Sequence, residues 1–303
     1  MAAETTRTAA PTDASATSVR AGASSPAPSA DAATAAGVAT GLPVLRWVLR
    51  QQRRALLGWA LSMAAVCAIY VSFYPLMGDS GELEALIAGL PEGLVVAMGY
   101  DAIGTAAGYL ESTVYGLLAP ILLLVFAVAF GARLIAGDEE AGQLELEAAA
   151  PIGRVRALLE RYAALVLAVA LLALVAGVAT AALVLALDLD VALSGVAAAT
   201  VGLGLLVVAL GTVAFAVGAV TGRRAWALGL GAGLAVASFM ANALGPMLED
   251  GAWLERASPF WWYLGNDPLV EGLEVAGPLA LVALTAVALG VAVVAYDRRD
   301  LGV

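Results

Sequence analysis

Six long apolar stretches constrain this sequence more than any other feature. They lie at about residues 55–77, 113–136, 162–187, 196–221, 225–248 and 275–296. Crossing the hydrocarbon of a bilayer takes roughly 20 consecutive apolar residues in a helix, because a helix pairs its own backbone groups where water cannot. Each stretch is long enough, so the chain is expected to be an all-α membrane protein with six transmembrane helices. Composition agrees: 62% of the residues are hydrophobic and the mean hydropathy is +0.91, against roughly 45–50% apolar residues in soluble domains.

Arginine placement sets the expected orientation. Arg46, Arg50, Arg53, Arg54, Arg133, Arg154, Arg156, Arg161, Arg223, Arg224, Arg298 and Arg299 fall at one set of connections. The other set holds only Arg256 beside many acids, among them Asp79, Glu111, Asp188 and Glu249. Basic residues stay on the cytoplasmic side, which predicts a multi-pass plasma-membrane protein with both termini in the cytoplasm. The six-span domain covers 41–303. Residues 1–40 are rich in Ala, Ser, Thr and Pro, offer no apolar face to offset ordering entropy, and are expected to be a disordered cytoplasmic tail.

The absences narrow function. The 15 basic residues are all Arg, and there is no Lys and no His. A phosphate-binding P-loop needs its Lys, so the chain is not an ATPase of that type. Without His, no Ser-His or Cys-His nucleophile pair forms. The single Cys67 lies in an apolar run, which removes disulfide frameworks and thiolate metal clusters; no catalytic residue and no metal ligand is assigned. The net charge of −10 argues against nucleic acid as a partner. The span interiors carry essentially no ionisable residue, with Arg133 one turn from a cytoplasmic end. That weighs against proton coupling, and less against sodium, which backbone carbonyls can bind.

Four segments stand out as sites. In Leu42–Arg54, Arg46, Arg50, Arg53 and Arg54 share one helical face, with Trp47 suited to the headgroup region. The reading is an N-terminal amphipathic interfacial helix that then turns into the bilayer; a basic cap on the first span itself is the alternative. Gly204, Gly211 and Gly218 repeat every seven positions in the fourth span, and Gly229 with Gly233 forms a GxxxG in the fifth. Both are candidate surfaces for close helix packing. Ser258, Pro259, Phe260, Trp261, Trp262, Asn266 and Pro268 form an outer aromatic segment before the last span.

The fourth segment is the cytoplasmic connection Gly137–Arg161, reading GDEEAGQLELEAAAPIGRVRALLER. Asp138, Glu139 and Glu140 are expected in the first turn of a short helix running to Ala150, where the macrodipole favours acids. Pro151-Ile152-Gly153 then ends it. A short charged helix between two spans can pass on rigid-body motion.

This loop resembles the signature of type-2 ABC (ATP-binding cassette) exporter permeases: acidic pair, Gly, Leu-Glu, apolar stretch, Pro, Arg. Glu139, Glu140, Gly142, Leu144, Glu145, Pro151 and Arg154 occupy those places. Gln143 stands where Thr is usual, and Glu147 interrupts the apolar stretch. Ser258-Pro259-Phe260 with Asn266-Asp267-Pro268, and the basic segment before the first span, are similar to the family as well.

The resemblance implies a membrane subunit of an ATP-driven exporter, paired with a second permease copy or paralogue. It implies a separate ABC ATPase subunit on the cytoplasmic side, which carries ATP and magnesium, so that this chain binds no cofactor of its own. The loop would act as a coupling helix between the second and third spans, its acidic face meeting a basic groove. The apolar spans lean toward a lipophilic substrate such as a drug, an antibiotic or a lipid. The alternatives are a secondary transporter of a small lipophilic solute and a non-transporting assembly subunit.

Overall fold

In a lipid-facing segment the backbone must pair within itself, and each apolar stretch accordingly becomes one helix. The computed structural model describes residues 42–78, 88–91, 95, 103–140, 153–248 and 250–299. Six long helices occur in order: α1 (Pro43–Gly78), α2 (Ala106–Glu140), α3 (Arg154–Ala186), α4 (Leu193–Thr221), α5 (Arg224–Leu244) and, after two short ones, α8 (Ala276–Arg298). The short helices are α6 (Ala252–Arg256) and α7 (Pro259–Leu264), both between α5 and α8. All six long helices are long and apolar enough to cross a membrane. Among the described residues there is no strand.

The bundle is built around α4, which packs on α2, α3, α5 and α8. Within its most apolar stretch 67% of α4 is buried, against 22% for α1, α5 and α8. Those three are perimeter helices whose outer faces are left to lipid or to another chain. Glycine lets α2 and α4 approach: a Cβ at Gly131 would lie 2.7 Å from the Gly211 carbonyl oxygen. Gly211 and Gly218 face Ala127 and Ala136 of α2, and Gly204 faces Ala173 of α3.

Gly229 and Gly233 make no close approach within this chain. Both are exposed, with no atom within 4 Å of a Cβ placed there. Gly231, two positions on and therefore on the opposite helix face, makes the approach instead. Its Cβ would sit 2.7 Å from that of Ala214 on α4.

The N-terminal segment also differs from expectation. Pro43–Gly78 is one unbroken helix, so the basic stretch is the first three turns of the first span and does not lie flat before it. Gln51-Gln52-Arg53-Arg54-Ala55-Leu56-Leu57 contains good helix formers and no breaker. At 36 residues the helix is about 54 Å long, well beyond the ~30 Å of hydrocarbon. Val44, Leu45 and Val48 are buried, while Arg46, Trp47, Arg50, Arg53 and Arg54 are exposed on its other faces. The apolar side that would have entered the headgroups is turned onto the bundle, where α1 packs along α3.

The tail over 1–40 lies outside the described residues, as does the loop from Ala141 to Ile152.

Candidate functional site

The Arg-rich end of the bundle is organised by the last three described residues of α2. A π-helical turn, Arg133–Gly137, precedes them and changes the direction in which their side chains point. Asp138, Glu139 and Glu140 then continue the helix of α2. Successive helical side chains point about 100° apart, so three acids in a row fan out toward three different neighbours.

Each finds a partner. Asp138 Oδ2 lies 3.2 Å from Nη1 of Arg161 on α3, and both residues are buried, 7% and 2% exposed. The same Arg161 nitrogen donates to the Leu134 carbonyl. Glu139 accepts from both terminal guanidinium nitrogens of Arg299, Nη2 and Nη1, just beyond α8, at 2.7 and 3.3 Å. Arg299 also donates to the Ala219 carbonyl of α4 at 3.1 Å. Glu140 Oε1 accepts from the backbone N–H of Arg224, the first residue of α5, at 2.9 Å. One turn of α2 thus clasps α3, α4, α5 and the end of α8.

The sequence expectation had these acids opening a helix, where the dipole helps them. They continue α2 instead, just past its π-helical turn. Their partners hold them there: breaking a buried ion pair such as Asp138–Arg161 costs about 3–5 kcal/mol. The carboxylates of Glu139 and Glu140 are both engaged within the chain, Glu139 half-buried and Glu140 exposed.

Gly222 makes the clasp possible. It ends α4 with φ +62°, and a Cβ there would lie 2.1 Å from Arg299 Nη2 and 2.8 Å from Glu139 Oε1. Only glycine both adopts that backbone readily and leaves room for the ion pair.

A second junction adjoins the first. Glu160, beside Arg161, is buried at 3% exposure. Its Oε2 accepts from the backbone N–H groups of Val44 and Leu45 at 2.9 and 3.3 Å, and Oε1 pairs with Arg156 at 3.1 Å. A carboxylate at a helix N-terminus satisfies unpaired N–H groups and opposes the positive end of the dipole. Glu160 and Arg161 therefore fix α1 and α2 to α3 from adjacent positions.

Of the loop residues singled out, Asp138, Glu139 and Glu140 are in the clasp, and Arg154 is exposed at the first turn of α3. Gly142, Leu144, Glu145 and Pro151 lie outside the described residues. Sequence reasoning missed Glu160 and Gly222 and treated Arg224 and Arg299 only as orientation markers. The available signal was an acid, Glu160, set among Arg154, Arg156 and Arg161.

At the opposite, acidic end the outer segment is tied down. Ser258 accepts from Phe260 N–H at 3.1 Å, capping α7 where Pro259 fixes the first turn, and donates to the Ser238 carbonyl of α5 at 2.7 Å. Phe260 packs edge-on against Phe239. Tyr263 donates to the Tyr115 carbonyl of α2 at 3.1 Å. Trp261, Trp262, Asn266 and Pro268 line a pocket beside the start of α8.

A family model described as the C-terminal domain of the multidrug efflux system permease Rv1217c matches residues 44–297. The match begins one residue into α1 and stops one short of the end of α8, so it spans the whole six-helix bundle. No curated protein matches the chain.

Proposed function

Because the chain belongs to the family of the multidrug efflux system permease Rv1217c, matched over residues 44–297, we propose that it is the membrane-spanning subunit of an ATP-driven ABC exporter of the type-2 class. It works as a dimer with a second copy or paralogue in the plasma membrane, and both of its ends are cytoplasmic. A separate ATPase subunit supplies the hydrolysis, and the cargo is lipophilic.

The clasp at the end of α2 carries this reading. A partner that pushes on the 141–152 connection acts on two points at once, Asp138–Glu140 and the start of α3. From there, ion pairs and a backbone hydrogen bond reach α4, α5 and the end of α8, and Glu160 reaches α1. A local push becomes a tilt of the bundle because these links have little slack. The low burial of α1, α5 and α8 supports a second permease on one perimeter face. The absence of Lys from the sequence supports an external source of energy.

Reconstitution tests the reading. Proteoliposomes holding this chain with a candidate ABC ATPase should export a lipophilic dye on addition of ATP, and neither protein alone should do so. Gradient-driven flux by this chain alone would favour the secondary transporter and overturn the proposal.

A further inference from the structure

The acidic end holds a cavity of about 300 Å³ between α7 and the first turn of α8. Its walls are unusually aromatic for this chain. Trp261, Trp262 and Tyr263 contribute to the lining, as do Asn266 and Glu274. The rings are held before any ligand arrives: Trp262 Nε1 donates to the Arg256 carbonyl at 2.8 Å, and Tyr263 is bonded to α2. Gly277 and Gly265 allow this closeness, since a Cβ at Gly277 would lie 2.0 Å from the Trp262 carbonyl oxygen and one at Gly265 would lie 2.8 Å from the Trp261 ring.

The charged residues of the segment that supplies the lining are all acids, with Arg256 behind Trp262 before it. Asp267, Glu271 and Glu274 fall within eight residues of one another, and no basic residue occurs between Arg256 and Arg298. Glu274 is the acid on the wall itself, oriented by a hydrogen bond from the Asn266 side chain. The N-terminus of α8 also borders the cavity and carries partial positive charge. Glu274, two positions before Ala276, opposes it, and the two further carboxylates leave the surroundings acidic.

Rigid aromatic faces beside a carboxylate attract a substituted ammonium ion, through the ring quadrupole on one side and the full charge on the other. We infer that this cavity is a binding site for an organic cation that carries an apolar body, with Trp261 and Trp262 as its aromatic wall and Glu274 as its counter-ion. Such a cation is either a soluble compound or the ammonium headgroup of a lipid, because the aromatic segment lies beyond the end of a membrane-spanning helix. The inference goes beyond export and does not depend on how transport is energised.

The test uses the full chain in nanodiscs of phosphatidylglycerol, titrated with benzyltrimethylammonium while intrinsic tryptophan fluorescence is followed. Saturable quenching is expected, at least tenfold tighter than for neutral neopentylbenzene, its isosteric hydrocarbon. Glu274→Gln should weaken the cation at least tenfold, and Trp261→Leu about fivefold, with helix content and elution volume unchanged. Repeating the titration in nanodiscs containing phosphatidylcholine separates the sources: competition assigns the site to lipid headgroups, and unchanged affinity assigns it to soluble cations. Equal affinity for the cation and its neutral isostere in the unaltered protein would overturn the inference, and so would equal cation affinity in a folded Glu274→Gln protein.

Discussion

Glu160 accepts a hydrogen bond from the backbone N–H of Val44, 116 positions earlier, at 2.9 Å. One buried carboxylate on α3 thereby fixes where α1 begins and how it leans on the bundle. Removing it leaves the N–H groups of Val44 and Leu45 without their acceptor and breaks the ion pair with Arg156. Glu160→Ala should destabilise the protein by about 1–3 kcal/mol. Hydrogen exchange should rise over residues 43–50 before it rises elsewhere, and Glu160→Gln should show a smaller version of both effects.

The buried pair Asp138–Arg161 predicts a larger loss. Truncating one partner breaks a buried ion pair, at a cost of about 3–5 kcal/mol. Asp138→Ala and Arg161→Met should each lower the thermal midpoint in detergent markedly. Arg154→Ala, exposed at the first turn of α3, should stay within about 0.5 kcal/mol of the wild type.

Gly222 should tolerate no side chain. Alanine there meets an unfavourable backbone, costing about 1 kcal/mol, and collides with Arg299 Nη2 at 2.1 Å. Gly222→Ala should therefore cost stability. It should also abolish the coupling between Glu139 and Arg299 that a double-mutant cycle measures in the parent protein. An unchanged coupling energy would mean that the clasp does not need this glycine.

The two faces of α5 should respond oppositely to added volume. Gly231→Leu forces a side chain into Ala214 and should cost about 1–3 kcal/mol of monomer stability. At Gly229 and Gly233 a Cβ meets no atom within 4 Å, and Gly229→Leu and Gly233→Leu should leave that stability unchanged. Monomer unfolding monitored with all three variants checks this.

The fold was legible because length and hydropathy decide it: six stretches of sufficient length must become helices in lipid. Rotation of those helices was not. Hydropathy is nearly uniform around α4, and in α5 Gly229, Gly231 and Gly233 are the same residue at alternate positions, so residue type does not separate them. The joint between the basic segment and the first span is ambiguous in sequence because an Arg face reads alike whether the helix lies flat or stands up. The buried contacts of Val44, Leu45 and Val48 with the bundle decide it.

In the clasp the residue types were legible and their partners were not. Asp138, Glu139 and Glu140 announce a charged site, but Arg161, Arg224 and Arg299 lie far along the chain. Their meeting depends on the π-helical turn Arg133–Gly137 and on the left-handed Gly222. The π-helical turn has no pattern that a single sequence displays, and a glycine just past an apolar run marks a helix end without naming the side chains beside it.

Force on the 141–152 connection reaches the bundle through the clasp in the proposed mechanism, and Glu139 with Arg299 offers the most direct measurement of it. ATP-driven export is compared in proteoliposomes that contain the partner ATPase with the unaltered chain, Glu139→Arg, Arg299→Glu or the double exchange. Each single reversal sets like charges against each other and should reduce export at least tenfold while ATP hydrolysis continues. The double exchange restores an ion pair and should recover at least half of the export. Wild-type export by both single variants would contradict the account.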